Sequence, residues 1–140
     1  MTTIATDGRS MAGDGLVMNG NDMVVRRDFP KVRRLNDGSL LGVAGNEPAA
    51  FAMAGWLNGG EKPSLDDVEA LQLMPDGELR YYHNGNGPSP AEAPAVLGTG
   101  GKLAMGAMLA GATPKEAVKI ACSRDICSGG EIISMERGPA

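Results

Sequence analysis

The sequence predicts an α+β fold in which two largely antiparallel sheets pack together and helices cover the outside. Three observations lead to it. Asp-Gly and Pro-Asp-Gly turns join short apolar segments, which is typical of β-hairpins. The helical segments do not alternate regularly with the strands, so a parallel sheet built from βαβ units is not expected. Residues 40–44 are apolar at nearly every position, as expected of a strand buried on both faces.

The first sixty residues are predicted to form five strands and one helix. Turns at Asp7-Gly8, Gly13-Asp14-Gly15, Asn19-Gly20-Asn21 and Asp37-Gly38 delimit the strands, which cover residues 2–6, 10–12, 23–25, 31–35 and 40–44. Glu47-Pro48 begins the helix, because Pro is favoured at the first helical position and Glu suits the helix dipole. The helix is predicted to end near residue 57, with an apolar face formed by Ala50, Phe51, Ala54 and Leu57.

The second half begins with a polar connector, residues 58–67, and a hairpin of strands 68–74 and 78–82. Residues 83–94, rich in Gly, Asn, Pro and Ala, are predicted to be a loop. A short strand, 95–97, precedes two helices, 102–110 and 114–123. The second helix begins with the capping box Thr113-Pro114-Lys115-Glu116. A last strand is predicted at 131–136.

Length and composition exclude several classes of protein. The 140 residues are expected to form one domain, residues 1–140. The net charge of −4 argues against a general nucleic-acid binder. No apolar run could span a bilayer and no signal peptide is recognisable, so no membrane partner and a cytoplasmic location are expected. Cys122 and Cys127 are too few for a disulfide framework. His83, the single histidine, is expected to be a solvated loop residue.

The N-terminus offers a candidate nucleophile. An initiator Met before a small residue is readily removed, which would leave Thr2 as the mature N-terminus. That residue would carry a hydroxyl nucleophile and a free α-amine as its base. The α-amine has a pKa of about 7.7–8.0, so much of it can accept a proton near neutrality. Taken alone, a Met-Thr start far more often marks an ordinary N-terminal strand.

Six motifs along the chain favour the nucleophile over the ordinary strand. They are Thr2-Thr3-Ile4, Ala12-Gly13-Asp14-Gly15, Lys31-Val32-Arg33-Arg34-Leu35, Val43-Ala44-Gly45, Gly98-Thr99-Gly100-Gly101 and Arg124-Asp125-Ile126-Cys127-Ser128-Gly129-Gly130. Together they resemble the HslV family, the bacterial proteasome-like peptidases among the N-terminal-nucleophile (Ntn) hydrolases. The last motif is similar to the Arg-Asp-x-x-Ser-Gly-Gly of proteasome β-subunits. The resemblance covers most of the chain and implies a four-layer αββα sandwich with threonine endopeptidase activity.

The resemblance implies roles for four residues at the reacting centre. Thr2 matches the nucleophile, and Asp14 and Lys31 match the charged pair beside it. A lysine ammonium near the α-amine would lower the pKa of that amine, and an ionised Asp14 would keep the lysine oriented. Gly45 matches the residue whose N–H forms the oxyanion hole, a donor typically worth about 2.7–4 kcal/mol. Without the other matches, Lys31 would be interpreted as a solvated strand lysine.

Three further residues match an outer group, and the family also binds a cation. Thr99 stands where the family usually has Ser, while Asp125 and Ser128 match the pair that supports the N-terminus. The resemblance implies no required cofactor. It does imply a structural monovalent or divalent cation, Na⁺ or Mg²⁺, on the backbone carbonyls of Arg124, Cys127 and Gly130.

The chain departs from the family after its first helix. The family has a long pair of antiparallel helices there, whereas this chain has one helix and the connector 58–67. The helical layer is therefore predicted to be reduced, with the second helix of the first pair missing. In the family this pair helps rings assemble and dock to an ATPase. The resemblance implies protein or peptide substrates, a homo-oligomeric ring and an ATPase unfoldase as partners.

The sequence also allows a prediction of substrate preference and leaves two alternative functions open. Val17, Phe29 and Val43 are predicted to line the primary pocket, which favours apolar substrate side chains. The first rival is an Ntn amidohydrolase that acts on small molecules. The second is a catalytically silent assembly protein that keeps the fold. Retention of the candidate catalytic residues argues against loss of activity.

Overall fold

The fold consists of two antiparallel sheets stacked face to face, with helices on both outer faces. The computed structural model describes residues 2–138. The elements in chain order are β1 (Ile4–Thr6), β2 (Ser10–Gly13), β3 (Val17–Met18), β4 (Val24–Arg26), β5 (Val32–Arg34), β6 (Leu40–Ala44), α1 (Glu47–Leu57), β7 (Glu69–Leu73), β8 (Leu79–His83), β9 (Asn86–Pro90), β10 (Ala95–Leu97), α2 (Gly101–Leu109), α3 (Pro114–Cys122) and β11 (Ile133–Glu136).

The two sheets contain different parts of the chain. The first sheet has the strand order β10-β1-β2-β11, and the second has the order β5-β6-β7-β8-β9. Strands β3 and β4 form a separate hairpin. In the first sheet Ile4 of β1 pairs with Gly13 of β2 and Leu97 of β10, so the N-terminal strand is central. Residue 2 is thereby held at one end of an interior strand.

The core between the sheets is aliphatic and tightly packed. Its buried residues are Ile4, Met11, Val32, Leu40, Leu71, Leu73, Leu79 and Leu97. Gly42 in β6 shows how closely the sheets approach each other. A Cβ atom on Gly42 would lie 2.7 Å from Ile4 Cγ2 and 2.9 Å from Met11 Sδ. Glycine is therefore required there by contact between the two sheets.

The outer layers confirm the predicted αββα arrangement with one reduced layer. Helices α2 and α3 pack on the first sheet through small side chains, among them Ala5, Ala12, Ala104, Ala117 and Ala121. Helix α1 alone covers the second sheet, burying Ala49, Ala50, Met53 and Ala54. Residues 58–68 contain no helix. None of the helices in residues 2–138 has the length and apolar composition needed to cross a bilayer.

Helices α1 and α3 begin at the residues that the sequence predicted, but one residue of the predicted apolar face of α1 is exposed. Asn46 caps α1, its side chain accepting a hydrogen bond from Ala49 N at 2.8 Å, and the capping box at Thr113 begins α3. Phe51, expected on the apolar face, is 57% exposed. The Arg33 guanidinium lies 5.0 Å from the centroid of the Phe51 ring. The ring also packs edge-to-face against the buried Phe29, with centroids 5.9 Å apart, so it lies at the edge of the core and a cation–π contact covers part of its outer side.

The prediction of a loop at residues 83–94 was wrong. The segment contains β9, which pairs with β8 through a two-residue turn at Asn84 and Gly85. Both turn residues have positive φ, 53° and 78°, as type I′ hairpin turns require. The prolines of β9 concealed the strand, but β9 is the sheet edge, where Pro is tolerated. His83 is the exposed last residue of β8.

Candidate active site

A cavity of about 820 Å³ opens at the end of the sandwich beside residue 2. Thr2, Lys31, Gly45 and Thr99, all predicted site residues, line it. Thr2 is almost fully buried, and its carbonyl accepts a hydrogen bond from Gly100 N at 3.3 Å. Gly98 has a φ of +88°, and a Cβ atom there would overlap the carbonyl of Thr2. The turn before α2 thus fixes the position of Thr2 by direct backbone contact.

The carboxylate of Asp14 links the N-terminal strand to two other parts of the chain. Both its oxygens lie 3.0 Å from Lys31 Nζ. Oδ1 also accepts from Thr3 N at 3.0 Å, and Oδ2 accepts from Gly129 N at 3.0 Å and Leu16 N at 3.3 Å. These donors compensate for removing the carboxylate from water. The residue that follows Thr2 is therefore tied through one buried charge to the backbone of Leu16 and Gly129.

Lys31 reaches the cavity from the segment that leads into β5. Its side chain is only 5% exposed, and its ammonium forms a buried ion pair with Asp14. Its backbone carbonyl accepts a hydrogen bond from Val43 N at 3.2 Å, which anchors the residue to β6. Thr2 and Lys31 thus line the same cavity, and Lys31 is held there by its buried counter-ion Asp14. A solvated strand lysine, the alternative interpretation, would be exposed.

A second hydrogen-bonded group lies behind Thr2. Asp125 Oδ2 accepts from Ser128 Oγ at 2.6 Å and from Thr99 Oγ1 at 2.7 Å. Burial raises the pKa of the Asp125 carboxyl, but the hydrogen bonds from Ser128 and Thr99 outweigh it and hold that pKa below its usual value. Ser128 Oγ lies 2.7 Å from Thr3 Oγ1. Thr3, which the sequence did not single out, thus connects this group to the N-terminal strand.

Two of the three predicted pocket residues line the cavity. Val17 and Phe29 do so, but Val43 does not. Val43 is buried in the core under α1 together with Leu41. Successive side chains of a strand point to opposite faces of the sheet. The next residue, Ala44, therefore faces the cavity instead. The prediction for Val43 is corrected on this ground.

The sequence is similar to proteins of one family. It is 30% identical over 121 residues to the ATP-dependent protease subunit HslV of Desulfovibrio desulfuricans, covering 70% of this chain and 68% of that protein. The chain belongs to the HslV family. HslV of Lacticaseibacillus casei is 29% identical over 170 aligned positions, which cover 95% of this chain and 98% of that protein. Because this chain has 140 residues, the alignment must open gaps in it, as expected of a shortened HslV-family member.

Solved structures show the same fold at lower identity. Thiobacillus denitrificans BPH superposes with a TM-score of 0.72 at 19% identity, covering 99% of both chains. Eukaryotic HslV from Trypanosoma brucei gives a TM-score of 0.72 at 20% identity, covering 96% of this chain and 97% of the other. No family model matches the sequence. The fold is thus that of the HslV-like Ntn hydrolases.

Four carboxylates at the cavity of this HslV-family chain were missed by sequence reasoning. They are Glu47, Asp66, Asp67 and Glu69. Glu47 was interpreted only as a first-turn helix residue, and the two aspartates only as part of a polar connector. Only their positions along the sequence could have pointed to the cavity. Each of the four lies within three residues of a strand or helix that borders it. Folding of the connector onto the cavity could not be deduced from spacing.

The predicted cation site lies in the turn that follows α3. Residues 2–138 contain no group of three or more His, Cys, Asp or Glu side chains that could hold a metal. A site made of backbone carbonyls is a different donor set. Within the same residues no hydrogen bond ends on the carbonyl oxygens of Arg124, Cys127 or Gly130. Oxygen donors of this kind suit a hard cation such as Mg²⁺ or Na⁺, and the site stays a prediction.

Proposed function

We propose that this protein is a threonine endopeptidase of the HslV and proteasome type, with Thr2 as its N-terminal nucleophile. One observation carries the proposal: the buried ion pair of Lys31 and Asp14 lies at the same cavity as Thr2. Relatives named as protease subunits support peptide substrates over the small-molecule amides of the rival amidohydrolase. The proposal requires removal of Met1, a residue outside the described range 2–138.

The proposed reaction proceeds through an acyl-ester. Thr2 Oγ attacks the peptide carbonyl while the α-amine of Thr2 takes the hydroxyl proton. The tetrahedral oxyanion collapses, the C–N bond breaks, and the departing amine receives that proton. Water then attacks the ester carbonyl, with the same α-amine as base, and the released acid leaves Thr2 with its hydroxyl restored.

Gly45 is proposed as the oxyanion donor because of its position on β6. Val43 N donates to Lys31 O on the β5 side of the strand. In an extended antiparallel strand, alternate N–H groups point to the same neighbour, so the N–H of Gly45 would face the same side. β5 begins only at Val32, so the cavity occupies that side at the level of Gly45. A donor aimed there would meet negative charge developing on the attacked carbonyl.

The remaining residues are proposed to position the nucleophile. Asp14 orients Lys31 and also binds the N–H of Thr3, so it acts on the charge and on the backbone together. Asp125 and Ser128 fix the hydroxyl of Thr3, and Thr99 shares the same carboxylate oxygen of Asp125. Each of these contacts restrains the residue next to Thr2 or the turn against it.

Processing is the first test of this function. Protein made in cells is expected to lack Met1 by intact mass and to hydrolyse fluorogenic peptides, because only a free α-amine can act as the base. A chain that keeps Met1 has that amine acylated, and is expected to be inactive until Met1 is removed with methionine aminopeptidase. Protein that has lost Met1 but hydrolyses no peptide would contradict the proposal and favour the silent assembly protein.

Assembly is the second test. We expect a homo-oligomeric ring that encloses the cavity, because relatives are named as subunits and the β3–β4 hairpin exposes apolar side chains. Met23 is 63% exposed and Val25 is 58% exposed, which is typical of surfaces that another chain covers. Light scattering coupled to size exclusion should give a mass several times 14.4 kDa. A monomer at micromolar concentration would remove the ring.

An ATPase unfoldase is proposed as a further partner. The curated relatives are named subunits of ATP-dependent proteases. This chain has a single helix, α1, on the face where the family docks its ATPase, so the docking surface is reduced. ATP-stimulated degradation of a folded protein in extract from the source cell, lost when this chain is deleted, would support such a partner. Unchanged degradation after the deletion would oppose it.

A further inference from the structure

The cavity beside Thr2 has two chemically different walls. One wall is apolar and is formed by Leu16, Val17, Met18 and Phe29. The other carries four carboxylates, Glu47, Asp66, Asp67 and Glu69. The one cation among the lining residues, Lys31, is already paired with Asp14. The lining side chains therefore carry a net negative charge, and they include an apolar set that an aliphatic chain could contact.

Of the four carboxylates, Glu69 is paired in the sheet with the residue next to Gly45. It is the first residue of β7 and pairs directly with Ala44 of β6, the residue before Gly45. Side chains of such a pair stand on the same face with Cβ atoms about 4.5–5.5 Å apart. Because Ala44 has only a methyl group, the space above it is open and the carboxylate of Glu69 borders that space.

A neighbouring tyrosine holds Glu69 in a defined orientation. Tyr81 Oη donates a hydrogen bond of 2.6 Å to Glu69 Oε2. Burial, together with the hydrogen bond to Glu69 and its negative charge, raises the pKa of Tyr81 to about 12, so the phenol stays a donor at neutral pH. Glu69 Oε1 has no hydrogen-bond partner within residues 2–138. One oxygen is thus fixed by the protein and the other is available to a ligand.

The other carboxylates extend the negative charge towards the cavity mouth. Asp66 and Asp67 are exposed and come from the connector that replaces the family's second helix. Glu47 is partly offset by the Arg26 guanidinium, whose Nη1 lies 3.6 Å from Glu47 Oε2. No ion pair forms on Asp66, Asp67 or Glu69 in the described part of the chain. A mouth of one charge sign attracts ligands of the opposite sign.

We propose that the cavity selects peptides with Arg or Lys as the residue whose carbonyl Thr2 attacks. This inference rests on the proposed function. The aliphatic stem of such a side chain would lie along the apolar wall while its cationic head reaches Glu69, the usual behaviour of long basic side chains. It replaces the expectation, made from the sequence, of a purely apolar preference.

The test compares wild-type cleavage of two fluorogenic peptides that differ only in having Arg or citrulline before the reporter group. The two side chains have nearly the same shape, but citrulline is neutral. We expect kcat/KM to be about tenfold higher for the Arg peptide, as for a charge-assisted hydrogen bond. The ratio should fall with added salt. Glu69→Gln, which keeps the shape and an acceptor for Tyr81, should reduce the ratio to near one.

A matched control and two outcomes complete the experiment. Glu92→Gln removes the same charge from an exposed carboxylate that does not line the cavity, so the Arg-to-citrulline ratio should stay at its wild-type value. Equal cleavage of the two peptides by the wild type would overturn the inference and leave the proposed peptidase standing. If neither peptide, nor one with Leu at that position, is cleaved and a peptide boronate does not bind Thr2, both proposals fail.

Discussion

Replacing Thr2 by Ala is expected to abolish peptide hydrolysis, with a loss of more than roughly a thousandfold, as for other nucleophile deletions. The variant keeps the α-amine and the whole Asp14–Lys31 pair, so the general base and its electrostatic environment survive. What it lacks is the Oγ atom that forms the ester. Binding of peptide boronates and labelling by epoxyketones should disappear with the activity, because both reagents react with that oxygen. Thermal unfolding should change little, since one hydroxyl and one methyl are removed.

Thr2→Ser is the matched control for that variant. It retains the hydroxyl and the α-amine and loses only the methyl group, so measurable hydrolysis and boronate binding should remain. Retained activity in Thr2→Ser with none in Thr2→Ala would assign the chemistry to the hydroxyl. Wild-type activity in Thr2→Ala would place the nucleophile elsewhere in the protein.

Lys31→Met is expected to lower activity at neutral pH by roughly a hundredfold, the scale of one general-base contribution. The α-amine of Thr2 acts as a base only when neutral. Loss of a nearby positive charge favours the protonated amine, so the pKa of that amine should rise. The acidic limb of the pH–rate profile should then move to higher pH, and activity should recover in part as the pH is raised. Lys31→Arg should also be impaired, because a planar guanidinium cannot occupy the position of a compact ammonium.

A double variant separates this effect from loss of stability. Lys31→Met alone leaves the buried Asp14 carboxylate without its counter-ion, which typically costs about 3–5 kcal/mol. Adding Asp14→Asn removes that charge while keeping the shape. The double variant should regain thermal stability but not neutral-pH activity. An unshifted pH–rate profile in Lys31→Met would show that Lys31 is purely structural.

The layer order and most strands could be predicted because they depend on local signals. The Pro75-Asp76-Gly77 turn and the flanking apolar segments sufficed for the β7–β8 hairpin, and the capping box sufficed for α3. β9 was missed because its Gly and Pro residues disfavour a strand, whereas its pairing depends on the tertiary position of a sheet edge. The exposure of Phe51 was missed for a related reason, since periodicity cannot reveal that the ring only touches the core at Phe29 and is partly covered by Arg33.

Part of the candidate site could likewise be predicted from the sequence, and part could not. Motif resemblance pointed to Thr2, Lys31, Gly45 and Thr99, and the fold brings all four to one cavity. Resemblance could not supply the acidic wall, because Asp66 and Asp67 lie in a connector that has no counterpart in the family pattern. Nor could it indicate that Ala44 faces the cavity in place of Val43, which depends on which face of β6 looks toward α1.

Two hydrogen bonds between distant parts of the chain, Gly129 to Asp14 and Ser128 to Thr3, also determine when the site can form. Thr2 and Lys31 leave the ribosome early, but the N–H of Gly129 and the hydroxyl of Ser128 are separated from their partners by 115 and 125 positions. A nascent chain that has not yet reached residue 129 lacks both contacts, so its N-terminal strand is not held in the geometry described above. Synthesis past residue 129 is therefore a precondition for these two contacts, so the strand that carries the candidate nucleophile is fully anchored only after nearly all of the described fold has been made.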